Sequence, residues 1–204
     1  MDRWAVLDFE TTGISSSQGD RPTEVAVVLL EKGEVVGQFQ SVMNAGLPVN
    51  PFVERLTGIT TAMVASAPPV NEVMDAAARF VGDVPLVAHN ASFDQRFWRS
   101  EMQLLGRDPG ADFVCTLLLS RRVFPLAPNH KLGTLAQWLG LPAAGRAHRA
   151  LADAQVAASL LQRVLVELPH GPRGDTSWTV DELRSFQRAS RSAPRRTVFR
   201  ASAP

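Results

Sequence analysis

Cysteine is nearly absent: Cys115 is the only one in 204 residues, which excludes an intrachain disulfide and any zinc site built from several thiolates. Alone, it reads as a small apolar filler or as a single nucleophile. Long apolar runs are missing as well, since no stretch approaches the ~20 residues that a membrane-spanning helix requires. A transmembrane reading and a membrane partner are therefore excluded. Asp2, Arg3, Asp8 and Glu10 stand within the first ten residues and leave no uninterrupted apolar segment for a secretory signal. A cytoplasmic protein is expected. Internal repeats are lacking too, and net charge is only +1.

What charge there is lies unevenly. Residues 169–204 hold seven Arg against three acids, a net +4, which leaves −3 for residues 1–168 out of the chain's +1. A basic arm of this kind meets phosphates or is an ordinary solvated extension. With 45% apolar and 20% charged residues the composition is that of a globular protein. The length suits one domain of ordinary size with a short appendage.

RWAVLDF reads as a first strand, and TEVAVVLLEKGEVVGQFQSVMNAG as two more joined by a tight turn at Lys32-Gly33. From Pro48 to Pro69 breakers dominate, and a loop is expected. NEVMDAAARFVG is helical, PLVAHN is a fourth strand, and SFDQRFWRSEMQLLG is a helix that opens on a capping-box spacing at Ser92 and Gln95 and stops at Gly106. FVCT is a short fifth strand leading into LLLSRRVF; HKLGTLAQWLG is a small helix ended by Gly140, and ALADAQVAASLLQRVLVEL a long one ended by Pro169 and Gly171. After a linker, HGPRGD, a second capping box at Thr179 and Glu182 predicts a short amphipathic helix over about 180–190, and SAPRRTVFRASAP has no periodicity. Strands first, then alternating strand and helix, predict an α/β fold: a mixed five-stranded sheet with helices on both faces.

Acids stand where such a fold should bury them. Asp8 and Glu10 share one face of the first strand, opposite Leu7 and Phe9. Asp94 occupies the first turn of the helix after the fourth strand, where the helix dipole alone favours an acid by about 0.3 to 1 kcal/mol. Asp153 is the only charge on the stripe Ala150, Asp153, Ala154, Ala157, Leu160, Leu161, Val164, Leu165, Leu168 that should face the sheet. An unpaired carboxylate there costs several kcal/mol or stays protonated, so it calls for cations or donors. His148 cannot converge with Asp153 along one helix, since five residues turn ~140°, and so belongs to the loop before it.

The motifs DFETTG (8–13), HNASFD (89–94) and HRALADA (148–154), in that order, resemble the three motifs of the DEDDh-type 3′-5′ exonucleases, the family of the DNA polymerase III epsilon proofreading subunit. The resemblance covers about residues 4–168. It implies a ribonuclease H-like exonuclease domain over 1–168, and it leaves residues 169–204, without a counterpart in the family, as a basic extension. It implies also that Asp8, Glu10, Asp94 and Asp153 bind metal, with Asp8 bridging two ions, Glu10 and Asp153 on one and Asp94 on the other, and that His148 is the general base. Four carboxylates against two dications balance in charge, and hard oxygen ligands suit Mg²⁺ or Mn²⁺. The activity so implied is hydrolysis of phosphodiesters from a free 3′ end to release nucleoside 5′-monophosphates.

The same resemblance places Thr11, Thr12, Gly13 and Phe93 beside the terminal nucleotide. A loop glycine lets backbone come close, and an aromatic stacks on any base; Phe93 as plain core is the other reading. LTGIT, Leu56 to Thr60, departs from the family pattern, with Thr57 where many relatives have histidine. Single-stranded DNA is the expected substrate, in repair or in proofreading beside a polymerase. RNA is the alternative within the family, and a silent nucleic-acid-binding or scaffold module the alternative outside it. The apolar face of the 180–190 helix would receive a polymerase or pack on the body.

Overall fold

The computed structural model describes residues 3–110, 112–168, 171 and 178–189. The non-periodic stretch SAPRRTVFRASAP (192–204), most of the linker before the last helix and the stop at Pro169 lie outside the described residues. Five strands form one sheet: β1 (Arg3–Thr11), β2 (Pro22–Glu31), β3 (Glu34–Val42), β4 (Leu86–Ala88) and β5 (Val114–Cys115), in the order β3-β2-β1-β4-β5. The β1/β2 and β2/β3 pairs are antiparallel, and β4 joins β1 and β5 in parallel. At the β2–β3 turn Lys32 and Gly33 both take positive φ, 51° and 85°, which matches the right-handed twist of the strands.

Alternation along β1 divides the core. Trp4 and Val6, with Ala26, Val28 and Leu30 of β2, pack under α5 (Thr116–Val123), α6 (Leu132–Leu139) and α7 (Ala150–Glu167). Ala5, Leu7 and Phe9, with Val25 and Val27, pack under α3 (Val70–Val81) and α4 (Ser92–Leu104). The inner stripe of α7 is rich in alanine, with Ala150, Ala154, Ala157 and Ala158 all buried. Small side chains let this helix lie close on the sheet.

Three local outcomes differ in kind. The stretch expected as loop contains α1 (Pro51–Thr57) and α2 (Thr61–Ala65). Its breakers are caps: Asn50 accepts the Phe52 N–H, Pro51 is the first helical residue, Gly58 ends α1 at φ 76°, and Thr60 accepts the Met63 N–H. The capping box expected at Ser92 and Gln95 does not form; Ala91 is the N-cap. The Gln95 amide turns instead to β5, accepting the Phe113 N–H at 2.7 Å and donating to Asp112 at 3.1 Å. At α8 (Val180–Arg188), by contrast, Thr179 and Glu182 do form the reciprocal box.

Helix α8 covers the outer side of β5. Val180 and Leu183 are buried in the same cluster as α7, and the ring of Phe186 lies between Trp178, at 5.1 Å, and the Arg122 guanidinium, at 4.6 Å. Gln187 accepts the Cys115 N–H at 2.7 Å and donates to the Phe113 carbonyl at 3.2 Å, so its amide satisfies an edge that a sheet otherwise leaves open. The apolar face of α8 is thus occupied by the body of the protein. Cys115 is a free, buried cysteine in that wall.

Candidate active site

Strand order reverses between β1 and β4, and the crevice beyond their carboxyl ends is where an open α/β sheet receives ligands. β4 pairs with β1 only at Ala5 and Val6. Past that point β1 continues alone on this side, and the Phe9 N–H is taken up at 3.1 Å by the Asp94 carboxylate from the first turn of α4. Asp94 is 2% exposed. Asp8 and Glu10 continue the row begun by Trp4 and Val6, so they face α7, whose first turn carries Asp153.

His148 precedes α7 on an exposed loop, as the turn angle requires, with its backbone left-handed at φ 59°. A residue with a Cβ holds that conformation at a cost of about 1 to 2 kcal/mol. The His148 N–H donates to Asp153 Oδ2 at 3.1 Å. Glu10, His148 and Asp153 each present a ligand atom within 4.8 Å of the other two.

The electrostatics are those of a site short of positive charge. Burial above all, then Asp94, Glu10, Asp153 and Glu24, raise Asp8 well above the usual carboxylate range. Burial and the charges of Asp153, Glu24 and Asp94 push Glu10 up to about 8, with Arg149 opposing them. Asp94 is raised to about 8 by burial, against the Phe9 N–H, and Asp153 is raised by burial, against the His148 N–H. Carboxylates that resist ionising together, beside an imidazole, are the donor set that a hard divalent cation satisfies. On that chemistry the residues fit a metal centre.

The residues expected next to a terminal nucleotide shape the loop after β1. Thr11 donates its hydroxyl to the Gly13 carbonyl. The Thr12 hydroxyl donates to Asp20 at 3.1 Å and accepts the Arg21 N–H at 3.1 Å. A Cβ on Gly13 would stand 2.4 Å from the Asp20 carboxylate, so the close approach at this glycine is made by Asp20. Phe93 is half-buried, its ring 5.0 Å from that of Phe97. At the departure from the family pattern, the buried Thr57 hydroxyl donates to the Val53 carbonyl and accepts the Ile59 N–H, which spends it on ending α1.

Two residues that sequence reasoning passed over stand in the same region. Glu24 is fully buried and pairs across the sheet with Glu10. Arg149 follows His148 and reaches Glu24 with two nitrogens, Nη2 at 2.6 Å and Nε at 3.1 Å. Burial works to raise Glu24, but Arg149, the Ala150 N–H and Gln40 together hold it below the usual range. An acid at the head of the apolar run EVAVVLL, and an arginine inside HRALADA, were the available signals.

Comparison with known proteins gives concordant matches. A family model described as Exonuclease matches residues 5–161. A DNA polymerase III of PolC type from Caldanaerobacter subterraneus is 34% identical over 165 residues, 81% of this chain and 12% of that protein. A putative bifunctional exonuclease/endonuclease protein of Mycobacterium tuberculosis is 36% identical over 191 residues, 90% of this chain and 29% of that protein. The chain thus spans less than a third of these relatives' length. Among solved structures, exonuclease X in complex with 5′ overhanging duplex DNA superposes with a TM-score of 0.70 at 28% identity, over 90% of this chain and 99% of that one. The nuclease domain of 3′hExo, a DEDDh family member bound to rAMP, shares the fold, with a TM-score of 0.68 at 23% identity.

Proposed function

The chain belongs to the exonuclease family, whose model it matches over residues 5–161, and from that premise we propose that it is a metal-dependent 3′-5′ exonuclease that trims DNA to nucleoside 5′-monophosphates. The observation that carries the reading is the convergence of Glu10, His148 and Asp153 within 4.8 Å in the field of Asp8 and Asp94.

Asp8, Glu10, Asp94 and Asp153 would hold the ions, Mg²⁺ or Mn²⁺. When bound, two such cations supply Lewis-acid polarisation of the phosphodiester and offset the carboxylates' charge. The chain's own contribution is positional and acid–base. His148 accepts, at a ring nitrogen, a proton of the water that attacks phosphorus. The P–O3′ bond then breaks with its electron pair on O3′, which takes a proton from solvent, leaving a 3′-hydroxyl on the shortened strand and a 5′-monophosphate as product. The Thr11–Gly13 loop, shaped by Asp20, lies at the exit of β1 and meets the terminal nucleotide through its backbone, and Phe93 offers a ring face to the base. Phe9, through its N–H, holds the buried Asp94, whose charge acts on Asp8. This chemistry belongs to residues 1–168, and residues 169–204 are an extension that includes α8.

DNA is the favoured substrate because exonuclease X, matched over nearly its whole length, is a neighbour with DNA in its structure, and PolC-type relatives suggest a proofreading or repair setting. The test is parallel digestion of 5′-labelled DNA and RNA oligomers of one sequence with Mg²⁺, Mn²⁺ or EDTA. The expected result is a ladder shortening from the 3′ end of DNA, abolished by EDTA. Faster trimming of RNA would reverse the substrate assignment, and no trimming with either ion would leave a silent binding module.

A further inference from the structure

Glu24 is an acid within the carboxylate cluster that is not free to act with it. Its side chain has no exposure and its oxygens are spoken for: Oε1 accepts from Gln40 Nε2 at 2.8 Å and Arg149 Nη2 at 2.6 Å, and Oε2 from Arg149 Nε at 3.1 Å and the Ala150 N–H at 3.0 Å. Four donors use the lone pairs a carboxylate offers, so no cation can recruit it. A fully satisfied buried carboxylate fixes whatever it holds, and it holds two consecutive residues, Arg149 by its side chain and Ala150 by its backbone, immediately after His148.

We propose that Glu24 and Arg149 are a positioning pair for the exonuclease reaction, clamping the chain on the C-terminal side of His148 to the strand that also flanks Glu10. This deepens, and rests on, the reading of His148 as general base. Glu24 and Glu10 are direct cross-strand partners, so a clamp on Glu24 refers the loop to the same rigid backbone that carries Glu10. The N-terminal side of the clamp is the His148 N–H bound to Asp153. Residues 148, 149 and 150 are therefore each tied to a carboxylate, and the left-handed backbone of His148 is held between two ties. Arg149 engages Glu24 through Nε and Nη2 together, a two-point contact that a lysine cannot reproduce. An exposed imidazole on an otherwise free loop would sample many positions, and a misplacement of about 1 Å costs on the order of 10²-fold in rate.

The experiment compares single-turnover 3′ trimming with Mn²⁺ for wild type, Arg149→Lys, the neutral pair Glu24→Gln/Arg149→Gln, His148→Ala alone, and the same pair in the His148→Ala background. Thermal melting with and without Mn²⁺ accompanies each, and so do the histidine backbone amide signals of ¹⁵N-histidine-labelled protein. The neutral pair leaves no unpaired buried charge and guards against misfolding of a single variant. The neutral pair should lose about 10²-fold in rate at unchanged KM, keep its Mn²⁺-dependent stabilisation, and shift the His148 amide signal while those of His89 and His130 stay in place. Arg149→Lys, retaining charge but one contact, should recover part of the rate. With His148 already replaced, the neutral pair should cost nothing further. Equal losses in both backgrounds, or an unmoved His148 signal, would overturn the positioning role. A wild-type protein that does not trim DNA or RNA would instead overturn the exonuclease reading, and the amide signals would still decide the clamp.

Discussion

Replacing Glu10 by glutamine should stabilise the protein at pH 8 when no divalent cation is present, although it removes a residue proposed to bind one. The reason lies in the folded-state carboxyl, which is pushed from 4.5 up to about 8 by burial and by Asp153, Glu24 and Asp94. Between those pH values the folded chain keeps a proton that the unfolded chain has released, so stability is fully present below about 4.5 and falls as pH rises towards 8. At ~1.4 kcal/mol per pH unit that interval amounts to on the order of 5 kcal/mol for this one group, a large share of the 5 to 15 kcal/mol that typically separates folded from unfolded. Glutamine keeps the shape and drops the charge, and it also relieves Asp8, for which Glu10 is among the charges that disfavour ionisation. Urea denaturation in EDTA at pH 4, 6 and 8 checks this. The wild-type midpoint should fall with rising pH, and the Glu10→Gln midpoint should exceed it at pH 8 by the equivalent of about 2 to 5 kcal/mol, converging at pH 4. Adding Mn²⁺ at 100 times its dissociation constant should restore about 2.7 kcal/mol to wild type and less to the variant. Superimposable curves at pH 8 in EDTA would mean that the protein itself compensates Glu10, and the argument for a cation would go with them.

His148→Ala should lower the single-turnover trimming rate by about 10²-fold or more while leaving Mn²⁺-dependent thermal stabilisation in place, because its side chain is exposed and Asp153 is held through the His148 backbone; an unchanged chemical rate would remove it from the mechanism. Gln187→Ala orphans the buried Cys115 N–H and Phe113 carbonyl, at about 1 to 3 kcal/mol for each unsatisfied group. It should depress the melting temperature without altering the rate of the folded protein, and an unaltered melting curve would show that the β5 edge needs no cover.

Much of this was legible because it follows from local periodicity. The alternation in RWAVLDF separates Trp4 and Val6 from Ala5 and Leu7, and the structure uses that division to build its two core clusters. The alanine-rich stripe of α7 and its glycine-marked neighbour α6, which ends at Gly140 with φ 62°, are similarly written in spacing. Loop signals misled where one residue type serves two ends: Asn50, Pro51, Gly58 and Thr60 look like breakers, yet each stands at an end of a short helix, Pro51 as its first residue and the others as caps. At Gln95 a plausible local cap lost to partners 17 and 18 residues away, because burying Phe113, just before β5, leaves a backbone N–H that must be satisfied.

The acids show the same boundary most sharply. Glu10 and Glu24 are the same residue type, paired across adjacent strands, yet one is driven up to about 8 and the other is held low. Burial opposes ionisation at both, so burial cannot distinguish them. The difference is the supply of donors: Glu24 has Arg149, the Ala150 N–H and Gln40, whereas Glu10 has Arg149 only as a charge, against those of Asp153, Glu24 and Asp94. Arg149 lies 125 residues from Glu24 in the chain, and no window of sequence joins them. The order of three motifs could therefore point to which carboxylates share a pocket. Which of two facing glutamates is left short of donors is decided by the Arg149 fork, the Ala150 N–H and Gln40, and that is a property of the folded chain.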